Sequence, residues 1–89
     1  MINFKQQELI DRLFQAVKEK YPEVELINVT EGPEDPADLW INVTAPEDED
    51  REIELSQFAN QISTDIFDDY GYLILVMPRH NGKPATANA

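Results

Sequence analysis

From Phe4 to Lys20 the apolar residues Leu9, Ile10, Leu13, Phe14 and Val17 return every three or four positions, with Gln, Glu, Asp and Arg between them. That spacing matches the turn of an α-helix and predicts an amphipathic helix over 4–20. Asn3 stands where an N-cap belongs, Gln6 follows three positions on as in a capping box, and Pro22 stops the element. The period then changes. VELINVTE (24–31) and DLWINVT (38–44) alternate and are rich in β-branched residues, which predicts two strands separated by the breaker-rich EGPEDPA. In the first strand, alternation puts Ile27 and Val29 on one face and Leu26, Asn28 and Thr30 on the other; in the second, Leu39, Ile41 and Val43 oppose Asp38, Trp40, Asn42 and Thr44. The tetrapeptide Ile-Asn-Val-Thr thus occurs at 27–30 and again at 41–44. No third copy follows, so the repetition reads as shared strand grammar, with Ile and Val facing the core and Asn and Thr on the reverse.

Helical spacing resumes with Leu55, Phe58, Ala59, Ile62 and Ile66, which predicts a second helix over about 50–69. Asp48, Glu49 and Asp50 sit at its positive end, and Gly71 follows its last turn as a C-terminal cap. Ser56 offers an alternative start for a shorter helix; the longer one is preferred. YLILVMP (72–78) is nearly all apolar and suits a strand covered on both faces. The order helix, strand, strand, helix, strand predicts an α+β two-layer sandwich with both helices on one sheet face. The first two strands pair as a hairpin-like unit, and the last, reached through a helix, lies parallel to one of them. A single domain is expected over 1–79, with a polar, disordered tail over 80–89.

Composition narrows the function classes. The chain has 89 residues, no cysteine and a formal net charge of −11. Ten of the acids lie between Glu31 and Glu54, against Arg51 alone. Such a field repels phosphates and anionic lipid, so neither nucleic acid nor a membrane is an expected partner; a basic protein or a hard cation is permitted. No apolar run approaches the length of a membrane span and no export signal is recognisable, so the expected location is cytoplasmic. Acidic loops also keep a small protein soluble.

In element order and spacing, roughly residues 5–78 resemble a minimal nucleotidyltransferase domain. ADLWINV (37–43) looks like a family stretch of the SDIDLLV type, and LSQFANQISTDIFDDYGYLILVMP (55–78) is similar to the helix and strand that follow it. The resemblance implies a nucleotidyltransferase-like fold, and the departures from it bear on the chemistry. That reaction uses two or three carboxylates on magnesium. Asp38 takes the place of the first acid, but Trp40 replaces the second, and YLILVM supplies none. The Gly-Ser turn of the family is Gly32-Pro33 here. One carboxylate cannot assemble the metal site, so the resemblance implies a frame without catalysis, and no cofactor is expected.

Other constellations are sparse. Asp38, Asp48 and Asp50 are the candidates for divalent-cation or nucleotide-metal binding by the acidic loops, which is the alternative function; the glycine and paired helices of an EF-hand are missing. His80 is the only histidine and has no nucleophile or orienting carboxylate near it in sequence. Trp40 stands apart, because alternation sends it to the sheet face that no third helix is left to cover. One register of the last strand, Tyr72, Ile74 and Val76 or Leu73, Leu75 and Met77, must join it. The expected interface is Leu26, Trp40, Ile74 and Val76, an apolar patch through which a non-enzymatic module would bind a protein partner or form a homodimer.

Overall fold

A computed structural model describes residues 2–80; the tail expected to be disordered lies, beyond His80, outside the described residues. Helix α1 (Phe4–Lys20) opens with the expected capping box. The Asn3 side chain accepts from the Gln6 N–H at 2.7 Å, and the Gln6 side chain accepts from the Asn3 N–H at 2.9 Å. Each bond satisfies a donor that would otherwise face only water. At the far end Lys18 folds back, its Nζ donating to the Pro22 and Val24 carbonyls at 2.8 and 2.7 Å and to Glu25 Oε1 at 2.9 Å. That ammonium ties the end of the helix to the chain entering the sheet.

Strand β1 (Leu26–Glu31) pairs antiparallel with β2 (Leu39–Thr44), and β2 pairs parallel with β3 (Ile74–Arg79), giving the sheet order β1-β2-β3. A parallel pair needs a long crossover, and helix α2 (Glu49–Tyr70) supplies it. Asp48 caps α2 by accepting from the Asp50 N–H at 3.0 Å, and Gly71 closes it at φ 76°, a left-handed conformation that costs glycine nothing. The architecture is α+β in the expected order, with the antiparallel and parallel pairings both as anticipated.

The inward residues of both helices and all three strands form one core. Leu13, Val17, Ile41, Val43, Leu55, Ala59 and Ile74 are fully buried in it, together with Leu9, Ile66 and Val76. Each large aliphatic side chain removed from water this way contributes about 1.5–3 kcal/mol before entropy is subtracted. Tyr21 and Val24, in the link between α1 and β1, are buried as well, and Tyr21 meets Phe58 edge-on with ring centroids 6.0 Å apart.

Strand β1 departs from simple alternation. Leu26 pairs with Val43 and Asn28 with Asn42, so two steps on β1 match one on β2, and Ile27 is the extra residue of a β-bulge. Beyond the bulge Val29 lies opposite Ile41. Leu26 and Val29 therefore both pack against the core, whereas Ile27 was expected there and Leu26 on the reverse face. A bulge resets the inside-outside parity of everything before it, which local alternation cannot reveal.

Strand β3 is an edge strand. The Leu39 N–H donates to the Leu73 carbonyl at 3.0 Å and the Ala45 N–H to the Arg79 carbonyl at 3.1 Å. The parallel ladder therefore directs the main-chain groups of residues 73, 75, 77 and 79 toward β2, and those of Ile74, Val76 and Pro78 away from it. Pro78, which has no N–H to offer, sits where the sheet asks for none.

Candidate interaction surface

The face of the sheet turned away from the helices is built from Asn28 and Thr30 of β1, Trp40 and Asn42 of β2, and Leu75, Met77 and Arg79 of β3. Register places Thr30 opposite Trp40 and Asn28 opposite Asn42, with Leu75 and Met77 beside Trp40 and Asn42 on the parallel side. Trp40, Leu73, Leu75 and Met77 are each half-buried. Ile74 and Val76 are only 0% and 5% exposed and belong to the core, so the register of β3 is the reverse of the one expected at the interface. Leu26 also turns inward, because of the bulge. Of the four residues expected at the interface, only Trp40 lies on this face. Leu75 and Met77 take the places assigned to Ile74 and Val76.

A polar network runs through the middle of the face. Asn42 is only 5% exposed although no helix covers it. Its Nδ2 donates to Asn28 Oδ1 at 2.8 Å and to Thr30 Oγ1 at 2.9 Å, and its Oδ1 accepts from Arg79 Nε at 3.0 Å. A guanidinium can only donate, so Arg79 fixes which way the Asn42 amide is turned. The Arg79 guanidinium carbon lies 5.6 Å from the centre of the Trp40 ring, within cation–π range. Asn28 and Thr30 of the first Ile-Asn-Val-Thr copy and Asn42 of the second thus hold one another, and Arg79 fastens them to β3 and to the indole. Sequence reading missed this network. The signal available was the matched Asn and Thr spacing on adjacent strands.

Two grooves meet at Leu73 and Leu75. On the outer face a groove of about 330 Å³ is lined by Trp40, Leu73, Leu75, Pro33, Glu34 and Asp38. On the helix side of β3 a groove of about 500 Å³ is lined by Asn60, Ser63, Thr64, Phe67, Leu73 and Leu75. Phe67 is 51% exposed there, and the Ser63 hydroxyl is buried with no hydrogen-bond partner. The loop beside Trp40 is closed on itself by Gly32 N–H to Asp38 carbonyl at 2.8 Å and Asp38 N–H to Asp35 carbonyl at 3.0 Å. A Cβ on Gly32 would stand 3.0 Å from the Asp38 Cβ and 3.1 Å from the Asp35 carbonyl oxygen, so a side chain there fits only if the turn gives by a few tenths of an ångström.

The metal candidates do not converge. Asp48 is spent on capping α2, Asp50 supplies the N–H it accepts, and Asp38 closes the distant 32–38 turn. No three His, Cys, Asp or Glu among the described residues are grouped to hold an ion. His80 Nε2 lies 2.9 Å from Glu52 Oε1, a partner 28 positions earlier that spacing could not show. Beside Glu52 in the chain, Arg51 binds Glu23 through both Nε and Nη2. Those bonds hold the Glu23 carboxyl below its ordinary range. Burial, reinforced by the Glu54 charge, pushes the Tyr21 phenol above its own. Arg51, Glu23, Tyr21 and Glu54 line neither groove at Leu73 and Leu75. Among the described residues no helix is long and apolar enough to cross a membrane.

Comparison with known protein families finds no match, and neither curated proteins nor solved structures show a significant likeness to the chain.

Proposed function

We propose that this protein is a non-catalytic interaction module, built on a shortened nucleotidyltransferase-like frame, that engages a protein partner or a second copy through the sheet face around Trp40. The observation that carries the reading is the combination on that face of half-buried Trp40, Leu75 and Met77 with a side-chain network that reaches the Trp40 ring through Arg79. A preorganised apolar surface loses little freedom on binding, so more of its burial, at roughly 25 cal/mol per Å², remains as affinity. Tryptophan and arginine are also among the residue types most enriched where binding energy concentrates.

The experiment is Trp40→Glu, read by light scattering and by partner capture on the purified chain. The wild type should associate with itself or retain a partner, and the variant should do neither while keeping its helical circular dichroism. A wild type that is monomeric and captures nothing defeats the reading.

A further inference from the structure

We infer that the groove beside Trp40 receives an arginine side chain from a basic protein partner, its stem on Leu73 and Leu75 and its guanidinium against the Glu34 and Asp38 carboxylates. This inference rests on the interaction reading above and names the partner's chemistry. The groove, of about 330 Å³, has room for one long side chain. Its floor is reachable, since Trp40, Leu73 and Leu75 each keep part of their surface in solvent, and Glu34 on its lining is exposed. The turn that carries the two acids is closed without their side chains. Gly32 N–H donates to the Asp38 carbonyl, Asp38 N–H donates to the Asp35 carbonyl, and the Asp35 side chain accepts from the Ala37 N–H at 2.9 Å. Among the described residues, no hydrogen bond or ion pair engages the carboxylate of Glu34 or of Asp38.

Charge and shape together select the occupant. An apolar or acidic surface laid over the groove would take these carboxylates out of water with nothing to pair them, which is costly. The cation must come with the partner. Arg79, over the Trp40 ring, donates to Asn42 and does not line the groove, and Arg51 is bound to Glu23. Of the basic side chains, arginine fits both features of the site. Its aliphatic stem covers apolar surface, while its planar fork pairs with carboxylates and stacks on aromatic rings. Lysine brings a point charge without the fork. A second copy is disfavoured, because a formal charge of −11 would meet −11. Its Arg51 and Arg79 are also engaged already, which leaves Arg12 as the arginine it could offer.

The test selects binders to the intact chain from a display library of short random peptides, synthesises those enriched and follows the Trp40 indole N–H signal as each is added. Enriched peptides should carry arginine beside an apolar residue, move that signal and bind less tightly as salt is raised. Exchanging the peptide arginine for lysine should weaken binding severalfold. Glu34→Gln with Asp38→Asn leaves the main-chain bonds of the turn in place. That double variant should weaken binding by about tenfold, the loss expected when hydrogen bonds to charged groups are removed. The inference is overturned if no peptide is enriched, if the enriched peptides lack arginine, if lysine serves as well, or if the double variant binds as tightly as the wild type. Self-association abolished by Arg12→Gln would assign the groove to a second copy and overturn it too. Binding lost in Trp40→Glu but unchanged in the double variant removes the arginine and leaves the face reading intact.

Discussion

In the outer strand β1, Ile27-Asn28-Val29-Thr30 gives only Val29 to the core and leaves Ile27 in a bulge. In the central strand β2, the identical Ile41-Asn42-Val43-Thr44 buries Ile41 and Val43 completely and Asn42 almost so. The letters are the same and the neighbours differ. A central strand is held in register from both sides, so its alternation survives. An edge strand is held from one side and can absorb an extra residue where the chain turns in from α1. Intrinsic strand preference is therefore a statement about fit to a surface, and the surface decides how much of it is used.

That contrast can be broken or sharpened by experiment. The largest difference is expected for Ile41→Ala, which empties a sealed site and should cost about 2–5 kcal/mol in urea unfolding. Asn42→Ala comes next, at about 1–3 kcal/mol, because it strands the Arg79, Asn28 and Thr30 groups that Asn42 satisfies. Asn28→Ala leaves Asn42 its bonds to Thr30 and Arg79 and should cost clearly less in the same assay. Ile27→Ala should stay below about 1 kcal/mol, as expected away from the core. A loss at Ile27 equal to that at Ile41 would show that the bulge is not as described.

Acid should produce the smallest effect. Glu23, just before β1, has its carboxyl held below the ordinary range by Arg51. A depressed carboxylate stabilises the fold above its unfolded-state value, and that contribution disappears as pH falls through its folded value. Amide exchange in β1 should therefore quicken before exchange in β2 as pH is lowered below the usual carboxylate range. Glu23→Gln should remove the difference.

Much of the fold was legible because its signals are local. The Asn3 and Gln6 box, the stripe from Leu55 to Ile66 and the stop at Gly71 each depend on residues within a turn or two of one another. The order of elements then restricted the pairings to an antiparallel unit and a parallel third strand. The site was less legible. YLILVMP is apolar at every position but its last, so it carries no period, and only the core chooses Ile74 and Val76 over Leu75 and Met77. The bulge at Ile27 exists only in the register against β2. Arg79 reaches Asn42 across 37 positions, a distance at which spacing carries no information. Trp40 was found because two alternating apolar neighbours and a missing third helix fixed its side of the sheet.

Pro78 gives the open margin of the sheet a finite length. Beyond Val76 the next position turned away from β2 carries no amide hydrogen, so the row of main-chain donors along this margin ends there. Assembly of chain upon chain into filaments needs an uninterrupted row of such points, and this ring nitrogen interrupts it. A proline at a sheet margin is one of the means by which a strand is kept from templating its own aggregation.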